Sequence, residues 1–377
     1  MTALADAASA LGVDRAAKRA RVIELLDRRR ASAVVLRSHV AVAWYLDGAR
    51  THVSLAGDPI AAVVVSRDRD ELRIFDNEAD RMLDEELGDA FSLEVVRVPW
   101  HDPLALPDLD AIDETDAAAE LRAARASLLP GELARYRALC REVAQALTDA
   151  ALGADPGDTE RSVAARLAGD LVARGIDPLV TLVAGRARLG HRHPLPTDSS
   201  LGDRAMLVVC GRRHGLIANA TRCVRFAPAD PAETDAARRI LRVEAAFLDA
   251  TRPGATLRDA FAAGIAAYGR HGFDANEWRR HHQGGAAGYA GRDPRAVPGI
   301  ADVVKLGQAF AWNPTAPGAK VEDTVLVGDD GIEVLTADPR WPTVRVGALD
   351  RPLELDRSNG GDAPRSAPDG KRGWAGL

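Results

Sequence analysis

Residues 320–336 read KVEDTVLVGDDGIEVLT, and the interpretation of the whole chain starts from this stretch. Two apolar runs, one after Asp323 and one after Gly331, predict two β-strands. Between them, Asp330-Gly331 is a two-residue sequence typical of tight hairpin turns. We therefore predict a β-hairpin here, with the carboxylate of Glu322 at its start.

Three segments further towards the N-terminus carry the other polar side chains of interest. They are GHRHPLPTD (190–198), GLIANATR (215–222) and HHQGGAAGY (281–289). The middle segment belongs to a predicted pair of strands that turn at His214-Gly215, and we expect Arg212, Arg213 and His214 to be solvated there. Glycines surround the third segment's histidines, which indicates a backbone that closely approaches a ligand.

Taken together, the four segments resemble the creatinase/prolidase/aminopeptidase P family, the pita-bread hydrolases, and the resemblance extends over roughly residues 15–345. It implies an α/β (α+β) fold. A small creatinase-type α/β domain and a Pro- and Asp-rich linker would occupy residues 1–125. A curved mixed sheet covered by helices would occupy residues 126–350. The polar segment 351–377, rich in Gly and Pro, is predicted to be a flexible tail.

The resemblance also implies a set of metal positions, and most of them are altered. Peptidases of this family hold two divalent metals with two Asp, one His and two Glu, positions that fall on Val208, Asn219, His282, Asn313 and Glu322. Valine offers no lone pair and asparagine brings no charge. Two dications about 3.5 Å apart repel by roughly 19 kcal/mol at an effective dielectric constant of about 20, which a single carboxylate cannot offset. We therefore expect no metal and no other cofactor, with a single loosely held ion on His282 and Glu322 as the alternative.

One member of the family, creatinase, cleaves a C–N bond of a small guanidino compound without metal. By the resemblance, it uses a histidine from the segment aligned with GHRHPLPTD and a glutamate from the closing hairpin. Those positions correspond to His193 and Glu322, with His191 as the alternative because the segment contains two histidines. His193, His282 and Glu322 are thus the candidate catalytic residues.

The neighbouring polar residues are candidates for substrate binding. Asn219 and Asn313 would line the cavity that holds metals in the peptidases. Tyr289 stands where the family has another histidine and would donate a hydrogen bond, while Arg292 would bind an anion. For Cys210 we favour a buried strand residue over a nucleophile.

These residues favour a metal-independent, creatinase-like hydrolase of a C–N bond in a small polar substrate. Two alternatives remain: a metal-dependent Xaa-Pro aminopeptidase or dipeptidase with altered ligands, and a non-catalytic, ligand- or peptide-binding pseudoenzyme. Because the family usually forms dimers with the small domain near the partner's active site, we expect a homodimer.

Composition excludes other classes of function. The 377 residues include 49 Lys and Arg against 55 Asp and Glu, a net charge of −6, so the basic excess usual for nucleic-acid binding is missing. No apolar run is long enough to span a membrane. Three cysteines without a CxxC pair, and a start without a basic segment leading into an apolar core, predict a cytoplasmic protein.

Overall fold

The computed structural model describes residues 12–88, 92–104 and 111–358. Its N-terminal domain contains a mixed five-stranded sheet with helices. The helices are α1 (Arg15–Arg29), α2 (His39–Tyr45) and α3 (Asp76–Arg81), the last continued by a π-helical segment, Met82–Leu87. The strands are β1 (Ala33–Leu36), β2 (Ala61–Ser66), β3 (Asp70–Phe75), β4 (Glu94–Val98) and β5 (Ala111–Asp113).

The order of the strands in this sheet is β4-β3-β2-β1-β5. β1 and β2 are apolar and almost wholly buried, and α1 packs Val22, Leu25 and Leu26 into the same core at helical spacing. The stretch predicted as a linker contributes β5, which pairs in parallel with β1. The first sheet therefore extends further along the chain than the sequence analysis expected.

The second domain is larger and consists of helices packed around two four-stranded sheets. Its helices are α4 (Ala118–Ala126), α5 (Pro130–Leu152), α6 (Glu160–Ala173), α7 (Pro231–Ala250) and α8 (Leu257–Arg270). Seven of its strands are β6 (Asp177–Gly185), β7 (Arg204–Arg213), β8 (Leu216–Arg225), β9 (Gly284–Ala287), β10 (Ala309–Trp312), β13 (Asp323–Gly328) and β14 (Gly331–Val334). Its other described strands are β11 (Thr315–Ala316), β12 (Ala319–Lys320), β15 (Thr343–Val346), β16 (Leu349–Pro352) and β17 (Leu355–Asp356).

One sheet has the order β17-β8-β7-β6 and the other β14-β13-β10-β9. They meet where the backbone N–H of Thr221 donates to the carbonyl of Glu322 at 3.0 Å. Helices α5 and α6 pack on the first sheet, α7 contacts β10 of the second sheet, and α8 packs against α7. This mixed, helix-covered sheet is the expected pita-bread architecture, and both predicted hairpins are present as β7–β8 and β13–β14.

The segment predicted as a flexible tail begins with ordered strand. β17 pairs in parallel with β8 at the edge of the first sheet. Residues 359–377, the remainder of that prediction, lie outside the described residues. Within the described ranges, no helix combines the length and apolar character needed to cross a membrane.

A buried charge network joins the two domains. The ammonium of Lys18 lies 2.6 Å from Asp47 Oδ1 and 2.9 Å from Glu132 Oε1, and Arg135 Nη2 lies 2.5 Å from the same Asp47 oxygen. Lys18 and Asp47 belong to the first domain, whereas Glu132 and Arg135 belong to α5. Because each charge is paired, the network can remain in the apolar interior without the large cost of an isolated buried ion.

Candidate functional site

Three histidine rings meet near the junction of the two sheets. His193 lies in the loop before β7, and the adjacent His281 and His282 lie in the segment before β9. One ring nitrogen from each lies within 4.8 Å of the others, and the Nε2 atoms of His193 and His281 are 3.1 Å apart. The structure thus brings His193 beside His282, while His191 lies outside this cluster and lines an adjacent cavity.

Burial keeps the cluster uncharged near neutral pH. It lowers the pKa of His281 to about 2, with a further contribution from Lys320, and that of His282 to about 4, with a contribution from Arg292. The pKa of His193 is also lowered by burial and by Lys320, although Glu322 acts in the opposite direction. Each ring therefore has a lone pair available at neutral pH.

Arg292 occupies the space between two of the predicted site residues. Its Nη2 donates to Glu322 Oε1 at 2.5 Å, and its Nη1 donates to Asn219 Oδ1 at 3.1 Å. The second oxygen of Glu322 accepts a hydrogen bond from Thr221 Oγ1 at 3.0 Å. Arg292, predicted to bind a substrate anion, thus binds the protein's own carboxylate, and both oxygens of Glu322 have partners.

Asn313 and Tyr289 have different positions relative to this site. Asn313 is buried, and its Oδ1 has no hydrogen-bond partner within the described part of the chain, so it remains a candidate for substrate binding. The Tyr289 hydroxyl instead donates to Glu132 Oε1 at 2.7 Å and accepts from Lys18 at 3.4 Å. Tyr289 belongs to the network between the domains, so its assignment as a substrate-binding donor is corrected.

The β7–β8 pair carries the first two positions of the family's metal site. Val208 lies opposite Thr221, and Cys210, two residues further on, lies directly opposite Asn219. Val208 packs against the apolar side chains of Leu182 and Met206. Burial raises the pKa of Cys210 to about 12, so this thiol stays protonated and is a poor nucleophile at neutral pH.

Lys320 is a candidate that the sequence analysis missed. The residue is 9% exposed, its side chain has no ion-pair partner among the described residues, and burial lowers its pKa. It lines the cavity of about 290 Å³ that also contacts His191, Arg192 and Thr315. The sequence feature that could have identified Lys320 is its position two residues before Glu322, because side chains two apart in an extended chain point to the same side.

The sequence analysis expected His214 to be solvated in a turn, and this prediction is wrong. His214 adopts a positive φ of 52°, and its Cβ would lie 2.7 Å from a side chain added at Gly48. Burial, with contributions from Arg135 and Arg213, lowers its pKa to about 4. The turn between β7 and β8 therefore packs against the first domain.

We predict that this buried imidazole makes the protein less stable in mild acid. With a pKa of about 4 folded and 6.5 unfolded, the unfolded state binds the extra proton as the pH falls below 6.5, so stability is lost. Between pH 7 and pH 5 the loss from this residue is about 2 kcal/mol. His214→Asn, which tolerates the positive φ, should reduce the pH dependence of urea unfolding by that amount.

The exposed residue His101 provides the control for this prediction. His101→Asn should leave the difference between the two pH values unchanged, because that side chain is mostly solvated. An equal pH dependence in wild type and His214→Asn would contradict the assignment.

Comparisons with known proteins agree with the architecture. Residues 134–329, just over half of the chain, match the model of metallopeptidase family M24. The chain belongs to this family, and the resemblance to creatinase, prolidase and aminopeptidase P is thereby confirmed. No curated protein sequence matches the chain significantly.

Solved structures with the same fold include peptidases. The prolidase from Pyrococcus horikoshii OT3 superposes with a TM-score of 0.72 at 18% identity, covering 86% of this chain and 99% of that one. Dipeptidase PepE from Mycobacterium ulcerans gives 0.70 at 19% identity, covering 87% and 97%. The N-terminal domain of FACT complex subunit SPT16 from Cicer arietinum gives 0.62 at 13% identity, covering 85% and 96%.

These similarities bear on the alternatives raised from sequence. Membership of the M24 family supports a hydrolase of peptidase type, and among those alternatives it favours the metal-dependent Xaa-Pro peptidase over the metal-independent hydrolase. Val208, Asn219 and Asn313 bring no negative charge, and the guanidinium of Arg292 pairs with Glu322, the remaining carboxylate. The side chains do not fit a dinuclear centre.

Proposed function

We propose that the protein hydrolyses an amide C–N bond in a small, polar, peptide-like substrate without the two-metal centre of M24 peptidases. The observation that carries this proposal is the guanidinium of Arg292, which lies between Glu322 and Asn219 next to the histidine cluster. A fixed cation there supplies positive charge near the reacting carbonyl, as the metals do in the peptidases.

The hydrogen bonds of the cluster identify the base in a metal-free, creatinase-like reaction. Thr315 Oγ1 donates to the carbonyl of Asn313 at 3.0 Å, so it accepts from Nδ1 of His281 at 3.4 Å. Nε2 of His281 then carries a lone pair and accepts a hydrogen bond from the Nε2–H of His193. Nδ1 of His193 remains free to take a proton from water and to return it to the leaving nitrogen.

Lys320 indicates the charge of the substrate. A buried ammonium without an ion-pair partner is costly unless a ligand brings the opposite charge. The cavity of about 290 Å³ beside it has room for a small group. We therefore propose that the substrate carries a carboxylate, which Lys320 binds.

A panel of small amides tests the proposal directly. The full-length protein is incubated with Xaa-Pro dipeptides, N-acyl amino acids and guanidino acids, each with chelator, with Zn²⁺ and with Mn²⁺, and release of the amine is followed by mass spectrometry. Hydrolysis with chelator or with Zn²⁺ supports the proposal. Turnover that requires two Mn²⁺ per chain would instead favour the Xaa-Pro peptidase.

A pseudoenzyme is the second candidate, because both oxygens of Glu322 are already engaged by Arg292 and Thr221. Binding of a panel compound, seen as a raised melting temperature, without turnover under any of the three conditions would favour it.

We also propose that the protein acts in the cytoplasm as a homodimer. Light scattering should give twice the chain mass of 40.1 kDa. A mass equal to that of one chain at micromolar concentration would contradict the dimer.

A further inference from the structure

The cluster of His193, His281 and His282 has the composition of a transition-metal site. Imidazole nitrogens suit Zn²⁺ and its neighbours, whereas oxygen ligands suit Mg²⁺, Ca²⁺ and Mn²⁺. From the arrangement of these rings we infer that the three histidines bind one Zn²⁺ ion, each through one nitrogen, with the fourth position open to water or substrate. This site shares only His282 with the positions of the family's two-metal centre, and it differs from that centre in its other ligands and in holding one ion.

The distances between the rings are close to those that the ion requires. Nitrogens bound to a tetrahedral Zn²⁺ at about 2.05 Å lie about 3.3 Å from one another. Nε2 of His193 and Nε2 of His281 are 3.1 Å apart, and no pair of ligand atoms in the cluster is separated by more than 4.8 Å. Closing the set requires a shift of about 1.5 Å at most, and His193 is the exposed member of the set, with room for its side chain to move.

The hydrogen bonds behind His281 orient it as a ligand. Its Nδ1 faces Thr315 Oγ1 at 3.4 Å, and this hydroxyl already donates to the carbonyl of Asn313. Nδ1 of His281 must therefore be the protonated nitrogen, which leaves the lone pair of Nε2 directed towards His193. Histidine ligands of metals usually donate their second ring nitrogen to such a partner.

His282 has an unexplained ring nitrogen. Its Nδ1 is buried without a hydrogen-bond partner within the described ranges, and its ring stacks on that of His281 at a centroid distance of 4.5 Å. Buried polar atoms in native proteins nearly always have a partner. An unpaired ring nitrogen beside two other imidazoles is therefore consistent with a metal ligand.

The surrounding charges set the strength of the site. Lys320, Arg192, Arg292 and Arg295 act on the cluster, and Glu322 opposes them. Arg192 is paired with Glu277, and Arg292 is paired with Glu322, so Lys320 and Arg295 remain as unpaired cations among the described residues. These two repel a dication, so removing the nearby charge of Lys320 should strengthen binding.

Zinc binding is measured on the full-length, tag-free protein after removal of metals with a chelator. Equilibrium dialysis with Zn²⁺, followed by elemental analysis, should give one ion per chain. His281→Asn and His193→Asn should each weaken binding by about 100-fold or more, and Thr315→Val by about 10–100-fold because it removes the orienting hydrogen bond. His191→Asn is the matched control and should bind like wild type, while Lys320→Met should bind more tightly.

Several results would overturn the inference: no retained Zn²⁺ in wild type, equal binding in His281→Asn, or two ions per chain. A measurement on wild type alone avoids dependence on the folding of variants. Co²⁺ in a tetrahedral site of three histidines absorbs visible light far more strongly than hydrated Co²⁺, and a spectrum equal to that of the hydrated ion would count against the site.

Only the catalytic role of the bound ion, the activation of a water molecule for attack, rests on the proposed function. Binding itself is measured without turnover. If Zn²⁺ does not bind but the amide panel yields a substrate, the inference fails and the metal-free mechanism stands. If Zn²⁺ binds and no amide is cleaved, the inference stands and the proposed function fails.

Discussion

Replacing His193 with alanine is expected to lower kcat by about 10²–10⁴-fold on the substrate that the amide panel identifies, with a much smaller change in KM. The reason for this loss is the position of His193 in the site. His193 is the exposed member of the histidine cluster, and its Nε2 contacts His281, so its ring can reach both the cluster and an incoming substrate. Steady-state kinetics on purified wild type and variant provide the measurement.

His101, an exposed histidine of the first domain, is the control for this prediction. His101→Ala should change kcat by less than about threefold, since exposed side chains outside the reacting centre contribute little. A large loss in His191→Ala together with normal turnover in His193→Ala would assign the reacting histidine to the other position.

Replacing Arg292 with leucine is expected to lower the free energy of unfolding by about 3–5 kcal/mol. The side chains of Arg292 and Glu322 are 9% and 3% exposed, and the variant leaves the carboxylate of Glu322 buried without its cation. A protein of ordinary stability, about 5–15 kcal/mol, loses a large fraction of it by such a change. Urea unfolding followed by circular dichroism measures the difference.

Two further variants separate the lost ion pair from lost packing. In Arg292→Leu/Glu322→Leu both charges are gone, so the double variant should be more stable than the single one. Arg295→Leu removes a nearby exposed arginine and should change stability by less than about 0.5 kcal/mol. Equal costs for Arg292→Leu and Arg295→Leu would mean that Arg292 is not a structural substitute for the metals.

Much of the architecture was predictable because it follows local patterns. The Asp330-Gly331 turn and the strand pair that turns at His214-Gly215 both appear where the sequence places them. β6 was not predicted, since Pro178 interrupts its pattern. The structure tolerates this proline because β6 is an edge strand with an irregularity between Pro178 and Val180.

The candidate site was predictable only in part. The motifs identify His193, His282 and Glu322, because each stands in a segment that resembles the family. His281 contacts His193, which is 88 positions away in the sequence, and Arg292 contacts Glu322, which is 30 positions away. Such pairings depend on how the strands and loops pack, and no spacing rule reports them. Tyr289 was misassigned for the same reason, since its partner Glu132 lies 157 positions away in the sequence, in α5.

The buried network of Lys18, Asp47, Glu132 and Arg135 limits how this gene can recombine. A crossover near residue 125 would join α5 of one parent to the first domain of another and would separate the two halves of the network. The same apolar core also runs through both domains, from Trp44 to Leu207. Exchange between related genes should therefore leave functional chimeras only when both halves of this set are inherited from one parent, so the two domains evolve as one unit.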